Sequence, residues 1–247
     1  MEKSVCVVIA RFSEPLDWLR SIPEDYELYI SNSGEALSRE QLNVSTEIVT
    51  IAPVPNLGRE AGHWIRYMVT NYNNLADINV FLQGSPHIGH TTNILFEMER
   101  SHLKHPFCYL TSKDCCETIV PCGIARTFVQ SSVGRKYKTV PLRSGGVWGG
   151  QFYATKETIR NNPLEYYQAL LKAVESDKHK SAYALEYGWN VALGYPAEES
   201  RVGPIRMPVG MPVGESGRDI WNRGKLMETE SGKLECLKKG SECIETT

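Results

Sequence analysis

Asn56-Leu57-Gly58-Arg59-Glu60 opens a helical run that leads to Val80-Phe81-Leu82-Gln83-Gly84-Ser85-Pro86-His87-Ile88-Gly89-His90, so a helix start and a strand end frame one stretch of chain. Glycine at 58 lets the backbone turn sharply just before the helix. Arg59 and Glu60 then occupy a first turn whose free amides and positive dipole end attract anions. That geometry suits a phosphate. Downstream, Ala61, Trp64, Ile65, Met68, Val69 and Tyr72 follow the spacing of one buried helical face, with Glu60, His63 and Tyr67 on a different side. The turn formers Asn71-Tyr72-Asn73-Asn74 should stop the helix. Ile78-Asn79-Val80-Phe81-Leu82 reads as a buried strand that ends at Gly-Ser-Pro. A strand end beside a helix start is where open α/β sheets bind ligands.

Upstream, Val5-Cys6-Val7-Val8-Ile9-Ala10 is a continuous apolar run, the pattern of a central strand covered on both faces. Arg11-Phe12-Ser13-Glu14-Pro15 follows directly. Arg11 is therefore either a cation at the sheet's carboxyl edge, where a nucleotide would lie, or a plain surface arginine in a loop. A short helix at Leu16–Leu19, strands at 26–31 and 47–51, the helix after Gly58 and the strand at 78–82 make a doubly wound unit.

With 247 residues the chain can bury one large core without disulfide staples. A net charge of −2 gives no basic excess of the kind that announces non-specific nucleic-acid binding. Seven cysteines are an odd number, and the spacing of Cys108, Cys115, Cys116 and Cys122 matches no zinc pattern, which points to free thiols in a reducing, cytoplasmic setting. The first apolar run is too short for a signal peptide or membrane span, so a soluble protein is expected.

Residues 91–104 look helical, with His102 and His105 suited to a helix C-terminus. The region 106–141 reads as loop-rich, apart from a strand at Phe107–Tyr109. Gly145-Gly146-Val147-Trp148-Gly149-Gly150-Gln151-Phe152 has two Gly-Gly pairs. Either they let backbone approach a bulky ligand, with Gln151 offering its amide to hydroxyls, or one pair is a hairpin turn. Helices follow from Thr155, breaking near Asn161-Asn162-Pro163, and from Leu164 to Val174; another runs 181–193. In that last helix Glu186 lies amid Tyr183, Leu185 and Trp189. It is either a solvated helical glutamate or a partly desolvated carboxylate whose raised pKa suits it to proton transfer. Residues 206–247 are turn-rich and then charged, a tail packed on the core or partly disordered.

Asn56-Leu57-Gly58-Arg59-Glu60 with Phe81-Leu82-Gln83-Gly84, and Gly149-Gly150-Gln151-Phe152 with Ala184-Leu185-Glu186, resemble motifs of GT-A-type glycosyltransferases. The nearest resemblance is to a family typified by Asn-Val-Gly-Arg-Glu and Phe-Leu-Gln-Gly, related to the TET/base-J-associated glucosyltransferases. Rhamnan-type and capsular polysaccharide transferases are more distant. The resemblance spans roughly residues 5–195. It implies an α/β fold: a single GT-A-like, Rossmann-like domain over residues 1–205, its mixed, mostly parallel sheet flanked by helices. It also implies transfer of a sugar from a nucleotide-diphosphate donor, uridine-based in that family, to a hydroxyl on a 5-hydroxymethylpyrimidine in DNA or on a glycan.

By the same resemblance Arg11 lies at the nucleotide end of the donor site. Asn56, Arg59, Glu60, His63 and Gln83 serve the donor, Gly149, Gly150 and Gln151 border the acceptor, and Glu186 is the base of an inverting displacement. The family's Asp-x-Asp, which chelates a divalent ion such as manganese or magnesium, should follow Leu82, yet Gln83-Gly84-Ser85 stand there. His87 and His90 are either substitute metal ligands or merely polar loop residues. The rival readings are a non-catalytic sugar-nucleotide or glycan binder on this scaffold, and a metallohydrolase using His63, His87 and His90.

Overall fold

The computed structural model describes residues 2–86, 100, 101, 103–110, 120, 121, 123–134, 145, 146, 150–176, 184–186, 188–195, 201, 202, 227, 228, 234 and 235. Contacts divide the chain into Met1–Ile205 and Arg206–Thr247. In the second unit the described residues are one antiparallel pair, Met227–Glu228 with Leu234–Glu235.

The first unit is an α/β sheet. Strands β1 (Val5–Arg11), β2 (Glu27–Asn32), β3 (Val49–Pro53) and β4 (Ile78–Gln83) are parallel, in the order β3-β2-β1-β4. The sheet then continues through a reversed strand at Phe152–Thr155, which pairs antiparallel with β4. Beyond it lie Phe107–Tyr109 and Arg201–Val202, parallel to each other. The sheet is thus mixed and mostly parallel, as the sequence implies. A separate two-stranded ladder pairs Val120–Pro121 with Gly145–Gly146. Numbered along the chain, these strands are β5 (107–109), β6 (120–121), β7 (145–146), β8 (152–155) and β9 (201–202).

Helix α1 (Arg59–Thr70) crosses from β3 to β4, so the strand order reverses between β1 and β4. Other helices among the described residues include α2 (Gly123–Val133), α3 (Lys156–Arg160), α4 (Leu164–Ser176) and α5 (Trp189–Ala192). Side-chain alternation along the central strands builds two cores. Val5, Val7, Ile9, Leu28, Ile30, Val80 and Leu82 pack with Leu19, Ile22 and Leu42 on one face. Cys6, Val8, Phe81, Phe107 and Phe152 pack with α1, α4 and Trp189 on the other.

On the α1 face the rings of Trp64, Phe81, Phe152 and Trp189 meet within one cluster. Phe81 stacks on Phe152 at 4.6 Å and Phe152 on Trp189 at 4.8 Å, while Trp64 lies 5.5 Å from Trp189. Burying a Phe side chain contributes roughly 1.5–3 kcal/mol, and an aromatic pair adds about 0.5–1.5. This cluster therefore fastens α1, β4, β8 and α5 together.

Three expectations need correction. His63 and Tyr67, expected on a different side of α1 from the buried stripe, are themselves buried at 4% and 3% exposure. The helix is covered by both the sheet and α4, and each polar group finds a partner: His63 Nδ1 donates to Ser31 O at 2.9 Å, and Tyr67 Oη donates to Asn79 Oδ1 at 2.7 Å. The stretch expected to be loop-rich contains α2, whose Ala125 and Val129 enter the core. The helix expected over 181–193 is interrupted: 184–186 are helical, Gly188 has φ −144° and ψ 35°, and α5 starts afresh. A Cβ at Gly188 would lie 2.1 Å from the Ala125 methyl, so the close passage of α2 sets the break. Most of the helix expected at 91–104 lies outside the described residues.

Candidate active site

The carboxyl ends of β1, β2 and β4 carry Arg11, Asn32 and Gln83, and α1 begins at the same edge. Because β8 runs the other way, its beginning, next to Gln151, comes to this edge as well. The reversal of strand order between β1 and β4 makes this the crevice where an open α/β sheet takes a ligand.

Gly58 caps α1 at φ +74° and ψ 15°, and Arg59 follows at φ +50°. A left-handed conformation costs glycine nothing but strains arginine by about 1–3 kcal/mol. The chain therefore turns as the sequence implies, and the strain falls on the residue expected to grip phosphate. Gly58, as the N-cap, has no side chain with which to cap the first-turn amides. Asn56 and Arg59 are exposed beside it.

Glu60, one residue along, accepts from Gln83 Nε2 at 3.3 Å. Glu186 is half-buried on the same side, near enough for Glu60 and Arg59 to act on it. Burial raises the Glu186 pKa above the ordinary carboxylate value; the charge on Glu60 adds to this and Arg59 opposes it. No hydrogen bond to the Glu186 carboxyl is found among the described residues. Gly150, at φ +64°, packs its backbone against this glutamate: a Cβ there would lie 3.6 Å from both Glu186 Cα and Cγ. Gly150 is thus in ordinary van der Waals range of Glu186.

Gln151 is 1% exposed and its amide serves the protein. Its Oε1 accepts from Gln83 N at 3.1 Å, and its Nε2 donates to Pro86 O at 3.2 Å. The side chain fixes the start of the segment after β4. His63 likewise ties α1 to β2. With Nδ1 donating to a carbonyl, its neutral ring has no proton on Nε2, and burial lowers its pKa, with the Arg66 charge adding to the effect and the Ser31 bond opposing it.

Arg11 belongs to the opposite face. It shares the parity of Val7 and Ile9, and its Nη1 donates to Asn32 Oδ1 at 2.7 Å while Nε donates to Glu14 O at 3.1 Å. It borders a cleft of about 200 Å³ lined also by Ser13, Glu14, Leu37, Gln41 and Asn43. The proposed donor residues thus fall into two groups around one edge: Arg59, Glu60 and Gln83 with Glu186, and Arg11 in the cleft.

Two residues that the sequence reading passed over belong here. Asn32, 4% exposed, is the direct cross-strand neighbour of Arg11 and donates through Nδ2 to Glu35 O at 2.7 Å. A strand-terminal asparagine in register with the arginine was the available signal. The other is Glu14, whose carboxylate accepts from the Phe12 and Ser13 amides.

Among the described residues no three His, Cys, Asp or Glu side chains converge as a metal group requires. His87, His90 and Gly149 lie outside the described residues. Also among the described residues, no helix is long and apolar enough to cross a membrane.

Residues 7–114 match a family described as a protein of unknown function (DUF3431). The matched stretch holds most of β1, and β2 to β5 with α1, and so includes Arg11, the Gly58 turn and Gln83. No curated protein matches the chain.

Proposed function

We propose that this protein is a glycosyltransferase that moves a sugar from a nucleotide-diphosphate donor, uridine-based by resemblance, to a hydroxyl acceptor on a glycan or a 5-hydroxymethylpyrimidine in DNA. The observation that supports this reading is that Glu186 lies within electrostatic reach of Arg59 and Glu60, near the glycine-led start of α1. The mixed, mostly parallel sheet supports a GT-A-like scaffold. In a direct displacement Glu186 takes the acceptor's hydroxyl proton while the acceptor oxygen bonds to the anomeric carbon. The bond from that carbon to the diphosphate oxygen breaks. Arg59 and the first-turn amides face the charge that develops on the leaving group, and Glu60 is placed to accept from sugar hydroxyls. A divalent ion, where bound, would add Lewis-acid support to the diphosphate.

The test is incubation of the purified protein with radiolabelled nucleotide sugars, hydroxymethylated DNA and glycan primers. Glu186→Gln should lower turnover by about 10²–10⁴-fold, the usual contribution of a positioned base, without weakening donor binding. Arg59→Ala should weaken donor binding most. Absence of both transfer and donor hydrolysis across these acceptors would refute catalysis.

A second reading, a non-catalytic sensor of sugar nucleotides or glycans, is favoured by Gln83, which stands near the place of the chelating aspartates and is tied to Glu60. Donor affinity indifferent to manganese, with Glu186→Gln behaving like the parent, would select it.

A further inference from the structure

The chain leaving β1 folds back on itself at the crevice. Glu14 Oε2 accepts from Phe12 N at 2.7 Å and from Ser13 N at 3.1 Å, two successive backbone amides aimed at one oxygen. The peptide between Phe12 and Ser13 is held by its other end, since the Phe12 carbonyl packs so tightly on Gly34 that a Cβ there would lie 1.5 Å from it. In a trans peptide the N–H points away from the carbonyl, so this contact aims the Ser13 amide toward the Glu14 side. Arg11 adds a guanidinium whose Nε holds Glu14 O. Space for the carboxylate is kept by Gly84 at the end of β4, where a Cβ would come within 2.8 Å of Glu14 Cβ and Oε2. Trp18 Nε1 donates to Gly84 O at 2.9 Å and fastens the loop's far end to the same place.

Converging amides beside a fixed cation form a concavity for an anion. Here the anion is the protein's own, and a single carboxylate oxygen takes both amides. The cleft of about 200 Å³ opens directly beside it, with Arg11, Ser13 and Glu14 in its wall. A tetrahedral phosphate would offer an oxygen to each amide and another to Arg11.

We propose that the turn at residues 12–14 is a second phosphate site, separate from the start of α1, which the Glu14 carboxylate keeps closed until a phosphate-bearing ligand displaces it. Glu14 then sets the affinity of this site by competition. A competitor that fills a site nine-tenths of the time weakens a ligand's apparent affinity about tenfold.

The probe is inorganic phosphate added to the full chain, and no transfer activity is needed. In the parent, the Phe12 and Ser13 amide resonances should shift together and saturate as phosphate is added. By calorimetry Glu14→Ala should bind phosphate about tenfold more tightly, and Glu14→Gln should show a smaller gain. The gain should persist in Glu14→Ala combined with Arg59→Ala. Amides that do not move in the parent, or a folded Glu14→Ala with no gain, would overturn the proposal. A gain that disappears with Arg59→Ala would place the phosphate at α1 and also overturn it, while leaving the transferase reading intact.

Discussion

Substituting Gly58 by alanine tests whether the start of α1 is built as described. The residue sits at φ +74°, where a side chain costs about 1–2 kcal/mol. Its new methyl would also meet Val174 Cγ1 at 2.2 Å, well inside the usual carbon contact of about 3.5–4.0 Å. Val174 is fully buried in α4 and has no free direction in which to yield, so overpacking adds about 1–3 kcal/mol. The sum is about 2–5 kcal/mol. At about 2–4 °C per kcal/mol for a domain of this size, that is a fall of roughly 4–20 °C in Tm. A double-mutant cycle in urea separates the two parts. Val174→Ala opens room for the new methyl, so the double variant should lose less than the sum of the singles by about 1–3 kcal/mol. Relief should be partial, because the methyl would still lie 3.2 Å from Gly62 Cα and 3.3 Å from Val174 O. If the two costs add to within about 0.5 kcal/mol, the sites do not touch and the reasoning fails. A Gly58→Ala cost below about 1 kcal/mol would mean that the left-handed start is not there.

Glu186→Gln should change stability as well as turnover. With its folded pKa raised, the native state holds the proton longer than the unfolded state, so stability is lost as pH rises from the ordinary carboxylate value to the raised one; the variant should be the more stable protein above that window and equal to the parent below it, by denaturation at several pH values. Asp77 works in the opposite sense. Its hydrogen bonds with Lys156 and Ser4 lower its carboxyl from 3.8 to about 2, so the stability it lends is present above pH 3.8 and is lost as pH falls through about 2; Asp77→Asn should flatten that acid limb in a melting series, weakly and less so in high salt because the pair is partly exposed. Gln151→Met keeps the volume but removes the acceptor for Gln83 N and the donor to Pro86 O. It should cost about 1–3 kcal/mol in urea denaturation, and turnover should fall while the donor's affinity for the α1 side is retained.

The elements legible in the sequence were those whose pattern is local. Continuous apolar runs gave β1 and β4, and the spacing of Ala61, Trp64, Ile65 and Met68 gave α1, which ends at Asn71 where turn formers accumulate. Gly58 was legible for the same reason, since few residues other than glycine accept its backbone. What escaped depends on partners distant in sequence. His63 and Tyr67 read as polar because nothing local announces the Ser31 carbonyl or the Asn79 side chain that satisfies them. The break at Gly188 depends on Ala125, sixty-three positions earlier. Gln151 was read as offering its amide to a ligand's hydroxyls, whereas its partners, Gln83 and Pro86, come from the other side of a strand pairing that the sequence does not display.

Charge at the proposed donor site leads to a sharper test of the transferase reading. Around the start of α1 the described residues include Arg59, Glu60 and Glu186, the last already inclined to hold its proton. A diphosphate brought there adds further negative charge in a half-buried setting where repulsion is poorly screened. If Glu186 is ionised the site opposes its ligand, and if it is protonated Arg59 and the helix amides prevail. Anion binding and proton uptake at Glu186 must therefore favour each other, because linkage is reciprocal. Affinity for uridine diphosphate should rise as pH falls through the raised Glu186 pKa, and Glu186→Gln, a permanent mimic of the protonated form, should bind well at every pH and lose that dependence. The terminal phosphate's own titration, near pH 6, affects parent and variant alike, so the difference between their two profiles is the quantity to read. Parallel profiles would show that residue 186 does not sense the diphosphate. A group that close to a leaving phosphate could not fail to sense it, so parallel profiles would remove Glu186 from the reaction centre.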